Sequence, residues 1–132
     1  MSDKVSGPFN GEKIALDTKA ERVCFVLQPD SNLTFQYDLY HKDASASTWK
    51  LVSAANKPAI ALDISVSELL GDKLGWRVAC AALNLGSWPV HAQLFQSKGG
   101  AYVPVSRIAR YELSFPTADE VLQGFFDEVQ FT

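Results

Sequence analysis

Between Gly75 and Phe95 the chain reads GWRVACAALNLGSWPVHAQLF, two apolar runs parted by four residues of turn chemistry. In the first run Trp76, Val78, Cys80 and Ala82 share one side, and Ala79, Ala81 and Leu83 the other, with Arg77 the exception. A strand that is apolar on both sides is normally covered on both sides, so this run is expected in the middle of a sheet. Asn84-Leu85-Gly86-Ser87 supplies the turn, with Gly86 free to take positive φ. The second run alternates, with Trp88, Val90, Ala92 and Leu94 inward and Pro89, His91 and Gln93 outward. Pro89 has no ladder donor, which suits a strand start or an edge. Together the two runs are expected as a hairpin.

The same period of two recurs along the chain. In Glu21 to Gln28, Val23, Phe25 and Leu27 face in, opposite a mixed row of Arg22, Cys24, Val26 and Gln28. Leu33 to Tyr40 alternates most cleanly, with Leu33, Phe35, Tyr37 and Leu39 toward the core. Pro29-Asp30-Ser31-Asn32 joins these two runs as another expected hairpin. Shorter strands are expected at Gly11 to Asp17, Trp49 to Ser53, Ala59 to Ile64 and Ala101 to Val105, the last on an edge or bulge because of Pro104. Ile108 to Phe115 alternates again. Capping boxes at Ser65 to Glu68 and Thr117 to Glu120 predict short helices. After the second box, Val121, Leu122, Phe125, Phe126 and Val129 fit a short amphipathic helix or a helix-to-strand segment. Residues 1–10 are expected as a mobile arm and residues 11–132 as one domain. The pattern is that of an all-β protein, an antiparallel β-sandwich with one or two short helices.

At 132 residues the chain can bury a single core without staples. A formal charge of −3, with no cluster of Lys or Arg, argues against a nucleic-acid surface. No apolar stretch approaches the length of a membrane span. The opening MSDKVSGPFNGEK lacks the apolar core of a signal peptide, so a cytoplasmic protein is expected. Cys24 and Cys80 flank Trp49, but Val78 stands where an immunoglobulin domain has its tyrosine, and reduced, buried thiols are expected.

Catalytic constellations are scarce. His41 is expected in a polar loop and His91 on an outward strand face, and no GxSxG, HExxH, P-loop or CxxC motif occurs. The expectation is a protein that is not an enzyme. Exposed aromatic faces stack on pyranose rings, which makes Trp49 and Tyr40 the candidate ligand-binding residues, because Trp76 and Trp88 face inward. Asp30, Asp38 and Asp43 are isolated carboxylates, whereas calcium needs several oxygens converging on one point.

IARYELS at 108–114, followed by a capped segment ending FFDEVQF, resembles the signature and following helix of TerD-like tellurite-resistance and stress proteins. AIALDISVSELL (59–70) and WRVACAAL (76–83) are similar to that family's strand, short Leu-rich turn and core strand. RVCFVLQPDSNLTFQYDLY (22–40) falls where the family has its first paired strands. The resemblance implies a calcium-associated β-sandwich acting as a non-catalytic stress-response or scaffold module. It carries the family's metal position onto Asp38, with Asp30 or Asp43 the nearest further carboxylates. The family's paired aspartates are replaced by Gln36-Tyr37-Asp38-Leu39-Tyr40, and SAANKPA (53–59) has no carboxylate where the family has an acidic loop. No cofactor is therefore expected beyond weak calcium at Asp38 and Asp30.

A non-catalytic binding or scaffold module with a protein partner is the combined expectation. The alternative is a carbohydrate- or peptide-binding sandwich acting as an interaction adaptor in a bacterial system, and a homo-oligomer is compatible with either. A cleft lined by Trp49 and Tyr40 would favour sugar; a large apolar patch or a free sheet edge would favour protein.

Overall fold

A computed structural model describes residues 5–117 and 122–132. Along these the chain forms β1 (Val5–Ser6), β2 (Glu12–Ile14), β3 (Arg22–Pro29), β4 (Leu33–Lys42), β5 (Lys50–Ala55) and β6 (Ala59–Ala61). A single helical turn, α1 (Val66–Leu69), precedes β7 (Lys73–Ala82), β8 (Gly86–Lys98), β9 (Ala101–Pro104), β10 (Ile108–Phe115) and β11 (Leu122–Phe131). Sheet A has the order β1-β10-β8-β3-β6, with β9 added to β8; sheet B has the order β2-β11-β7-β4-β5. All pairs are antiparallel except β1 with β10 and β2 with β11. The fold is the expected all-β sandwich.

Neither expected hairpin forms. β3 lies in sheet A and β4 in sheet B, while β7 lies in sheet B and β8 in sheet A. Each turn is therefore an arch that carries the chain across the core. Alternation assigns a strand's faces but not its neighbour, and a turn between alternating runs serves an arch as well as a hairpin. The two arches lock together: the Leu83 N–H donates to the Asn32 carbonyl at 2.7 Å, and the Asp30 N–H to the Pro89 carbonyl at 2.9 Å. Gly86 takes φ 140°, and a Cβ there would lie 2.9 Å from the Trp88 ring.

The inward faces agree with the alternation. Val23, Phe25 and Leu27 of β3 meet Tyr37, Leu39, Trp76 and Val78 across the core. Phe25 stacks obliquely on Trp76 with centroids 4.6 Å apart. Trp88 is only half-buried, with its indole N–H on the Asn84 carbonyl at 2.9 Å. The expected coverage of both β7 faces is not met: β7 is central in sheet B, but Ala79 and Arg77 on its outer face are exposed.

The helical expectations need two corrections. Around α1 the Ser65 side chain makes no capping hydrogen bond, and only the Ser65 carbonyl accepts the Glu68 N–H. The second capping box falls largely on 118–120, outside the described residues, but from Leu122 onward the chain is strand. Phe125, Asp127, Val129 and Phe131 form its inner row. A charged residue in that row hides the period of two and lets the Phe pairs mimic a helical stripe.

Asp127 explains the anomaly. Its buried carboxylate accepts the N–H groups of Phe9 and Asn10, each at 2.8 Å, and its own strand neighbour's, Glu128, at 2.9 Å. The Tyr111 hydroxyl of sheet A donates to the same carboxylate and accepts the Trp76 indole N–H at 3.3 Å. The segment expected as a mobile arm is thus tied down from Val5 on, by β1 and by Phe9, which packs edge-on against Trp76 at 5.8 Å.

Burial raises several acids. Cys80 is pushed up to about 11 and Tyr37 to about 12 by loss of water, and burial together with the Asp127 charge raises Tyr111 further. These groups stay protonated in the folded chain while the unfolded chain ionises from its ordinary values of 9.0 for Cys and 10.0 for Tyr. The contribution of these groups is therefore constant below pH 9 and stability falls as pH rises from 9 toward 12. The slope approaches about 1.4 kcal/mol per pH unit for each such group. Urea midpoints measured across that range check this, and a flat profile would contradict it.

Candidate functional site

Sheet B leaves its outer face open. Along the middle of it, β7 presents Gly75, Arg77, Ala79 and Ala81, and β11 presents Leu122, Gly124 and Phe126. Leu122, Phe126 and Leu51 of β5 are 69%, 43% and 59% exposed. A trough of about 480 Å³ lies over the β7–β11 pair, lined by Arg77, Ala79, Leu122, Gly124 and Phe126. Its floor is low because side chains are missing: a Cβ on Gly124 would sit 2.6 Å from the Val78 carbonyl oxygen. Smaller but more enclosed hollows on sheet A, over Val26 and Phe95, measure about 210 and 280 Å³.

Tyr40 and Trp49, the expected ligand-binding pair, both lie on this face beside Gly75. Tyr40 is the cross-strand neighbour of Gly75, and a Cβ on Gly75 would meet the rings of Phe126 at 2.8 Å and Trp49 at 3.1 Å. Trp49 therefore fills the space glycine leaves, with Phe126 edge-on at 5.8 Å and the Lys42 ammonium 5.7 Å above its ring. A half-buried ring so occupied is a weaker sugar platform than a bare one.

The carboxylates are dispersed. Asp38 is half-buried on the same outer face, where it accepts the Tyr40 hydroxyl at 3.3 Å. Asp30 sits in the first arch and accepts the Asn32 backbone and side-chain N–H groups at 2.9 and 2.8 Å, which lower its pKa. Between them run five residues of β4 from Leu33, about 17 Å of strand. Millimolar calcium is expected to shift the melting temperature by no more than about one degree, and EDTA to leave the fold intact. A calcium-dependent rise that vanishes in Asp38→Ala would contradict that.

A grouping that the sequence did not suggest lies beneath the 43–48 loop. His41 is the penultimate residue of β4 and not part of a loop, and its Nε2 lies 2.8 Å from Asp72 and 3.5 Å from Asp43. The donor atoms of this trio fall within 4.8 Å of one another, so these are the residues of metal-ligand type that the described chain gathers. Asp72 also accepts the Ala44 N–H at 2.9 Å, which fastens the loop leading to Trp49. His41 and Asp72 are 31 residues apart, a separation that carries no local motif.

The sequence singled out Arg77 only as an interruption. In the fold it is the centre of the exposed face. Phe126, Arg77, Asp38 and Ala54 are successive neighbours across four strands. Among the described residues Arg77 makes no hydrogen bond or ion pair, not even with Asp38. No protein-family model, curated protein or solved structure matches the chain at a significant level. No helix among the described residues is long and apolar enough to cross a membrane.

Proposed function

We propose that this chain is a non-catalytic binding or scaffold module that docks a protein partner on the outer face of sheet B. The carrying observation is the exposed face itself: a central strand with small apolar residues, rimmed by exposed Leu51, Leu122 and Phe126, around an Arg77 that makes no hydrogen bond or ion pair among the described residues. The exposed apolar strip of Ala79, Leu122 and Phe126 along β7 and β11 favours association over solvation, and the guanidinium beside it gives it direction. A stress-response role in a bacterial cell is part of this reading, supported by the resemblance of 59–70, 76–83 and 108–114 to TerD-like proteins. A cytoplasmic setting is supported by the two free, buried thiols, Cys24 and Cys80.

A photo-crosslinking residue at Ala79, set beside one at Gln28 on sheet A, tests the reading in cells that make the protein. Protein adducts are expected from position 79 and lost in Phe126→Asp. Equal yields from both positions, or capture of glycan in place of protein, would refute it.

A further inference from the structure

We propose that the partner on this face is a second copy of the chain, packed face to face about a two-fold axis that runs along the seam between β4 and β7. The proposal rests on the protein-docking reading above and specifies its occupant.

Charge first distinguishes a second copy from an unrelated partner. Arg77 and Asp38 are direct neighbours across the seam, of opposite sign, and form no ion pair with each other. A two-fold axis lying in the interface and parallel to the strands exchanges the two sides of the seam. It sets Arg77 against the partner's Asp38 and Asp38 against the partner's Arg77, so both charges are matched twice by one operation. The pairing is charge-assisted, with Ala79, Phe126 and Ala54 beside it and Gln36 and Tyr40 along β4.

Shape follows the same exchange. β7 turns small side chains outward where β4 turns larger ones: Ala79 is the neighbour of Gln36. At the ends of the central row stand Phe126 and Ala54, so the axis brings each Phe126 position over a methyl group of the partner, while the ring itself leans along the face over Gly75. At Ala79 and Gln36 the two halves are small-for-large, and at Arg77 and Asp38 plus-for-minus, complements of each other. Sheets packed this way sit about 10 Å apart with strands near alignment, which the axis requires.

The overlap meets the lower end of the range. The axis lays β11 and β7 on the partner's β5 and β4, where β11, β7 and β4 are ten residues long and β5 six. At about 4.8 Å between strands and about 3.4 Å per residue, two copies would bury about 1,000 Å², the low end for a specific interface.

Sedimentation of the full chain over a wide concentration range tests the dimer, with Arg77→Glu, Asp38→Arg and the double variant alongside. The native chain should dimerise, each single reversal should weaken association by at least about tenfold, and the double reversal should restore it to within about threefold. Tyr102→Glu, on sheet A, should leave it unchanged, and thermal melts confirm that every variant is folded. A native chain that stays monomeric overturns the proposal. So does a dimer that the single reversals leave intact, that the double reversal fails to rescue, or that Tyr102→Glu dissolves. A monomer that still crosslinks to another protein from Ala79 removes the second copy as occupant while the docking reading stands.

Discussion

Ending the chain after Pro116 is expected to abolish the fold. The cut removes β11, which is not an appendage but the strand between β2 and β7 in sheet B. Val129 and Phe131 are fully buried and Phe125 stacks on Tyr111 with centroids 4.0 Å apart. Burial of each such side chain contributes about 1.5–3 kcal/mol. Losing three of them, nine ladder positions against β7 and the anchor of β2 exceeds what a domain with about 5–15 kcal/mol of stability can lose. The truncated chain should be insoluble, or lack a cooperative transition in urea. A soluble product with a sharp transition would mean that sheet B closes without β11.

The largest effect of a single substitution is expected at Asp127. Alanine there takes the acceptor from the N–H groups of Phe9, Asn10 and Glu128 and from the Tyr111 hydroxyl, those of Phe9 and Tyr111 in a buried place. The expected loss is about 3–5 kcal/mol. Tyr111→Phe removes one donor but leaves Asp127 its three backbone partners, so about 1–2 kcal/mol is expected. Urea midpoints rank the two variants. Trp76 emission supplies a local readout, because Phe9 packs on that indole and is held by Asp127. A loss below about 1 kcal/mol in Asp127→Ala would show that water replaces the carboxylate freely.

What was legible in the sequence was the sidedness of strands. The rows Val23-Phe25-Leu27, Leu33-Tyr37-Leu39 and Tyr111-Leu113-Phe115 face the core as their alternation requires. That rule depends on one residue and its next-but-one neighbour. Strand partners depend on the path of the whole chain, so the two arches looked like hairpins. Asp127 was illegible for another reason: a carboxylate normally marks the outer row, and only the N–H groups of Phe9 and Asn10 make it an inner one. Of the candidate site, Tyr40, Trp49 and Asp38 were singled out and do share a face, whereas Asp30 lies in an arch away from it. Arg77 drew no attention because a single charge in an apolar strand has no local meaning. Its meaning comes from what the fold leaves uncovered around it.

The parallel pairs β1–β10 and β2–β11 have a consequence for biosynthesis. Both strands at the start of the chain find their partners among the last three strands, and the Phe9 N–H waits for a carboxylate 118 residues downstream. A ribosome delivers those partners after the other strands of both sheets. Neither sheet can close its border until β10 and β11 have emerged, and each nascent copy holds its opening segment free until then. Contacts so distant in sequence place the protein among slow folders. Until those strands arrive, the half-built sheets offer bare edges to whatever chaperone, or neighbouring chain, reaches them first.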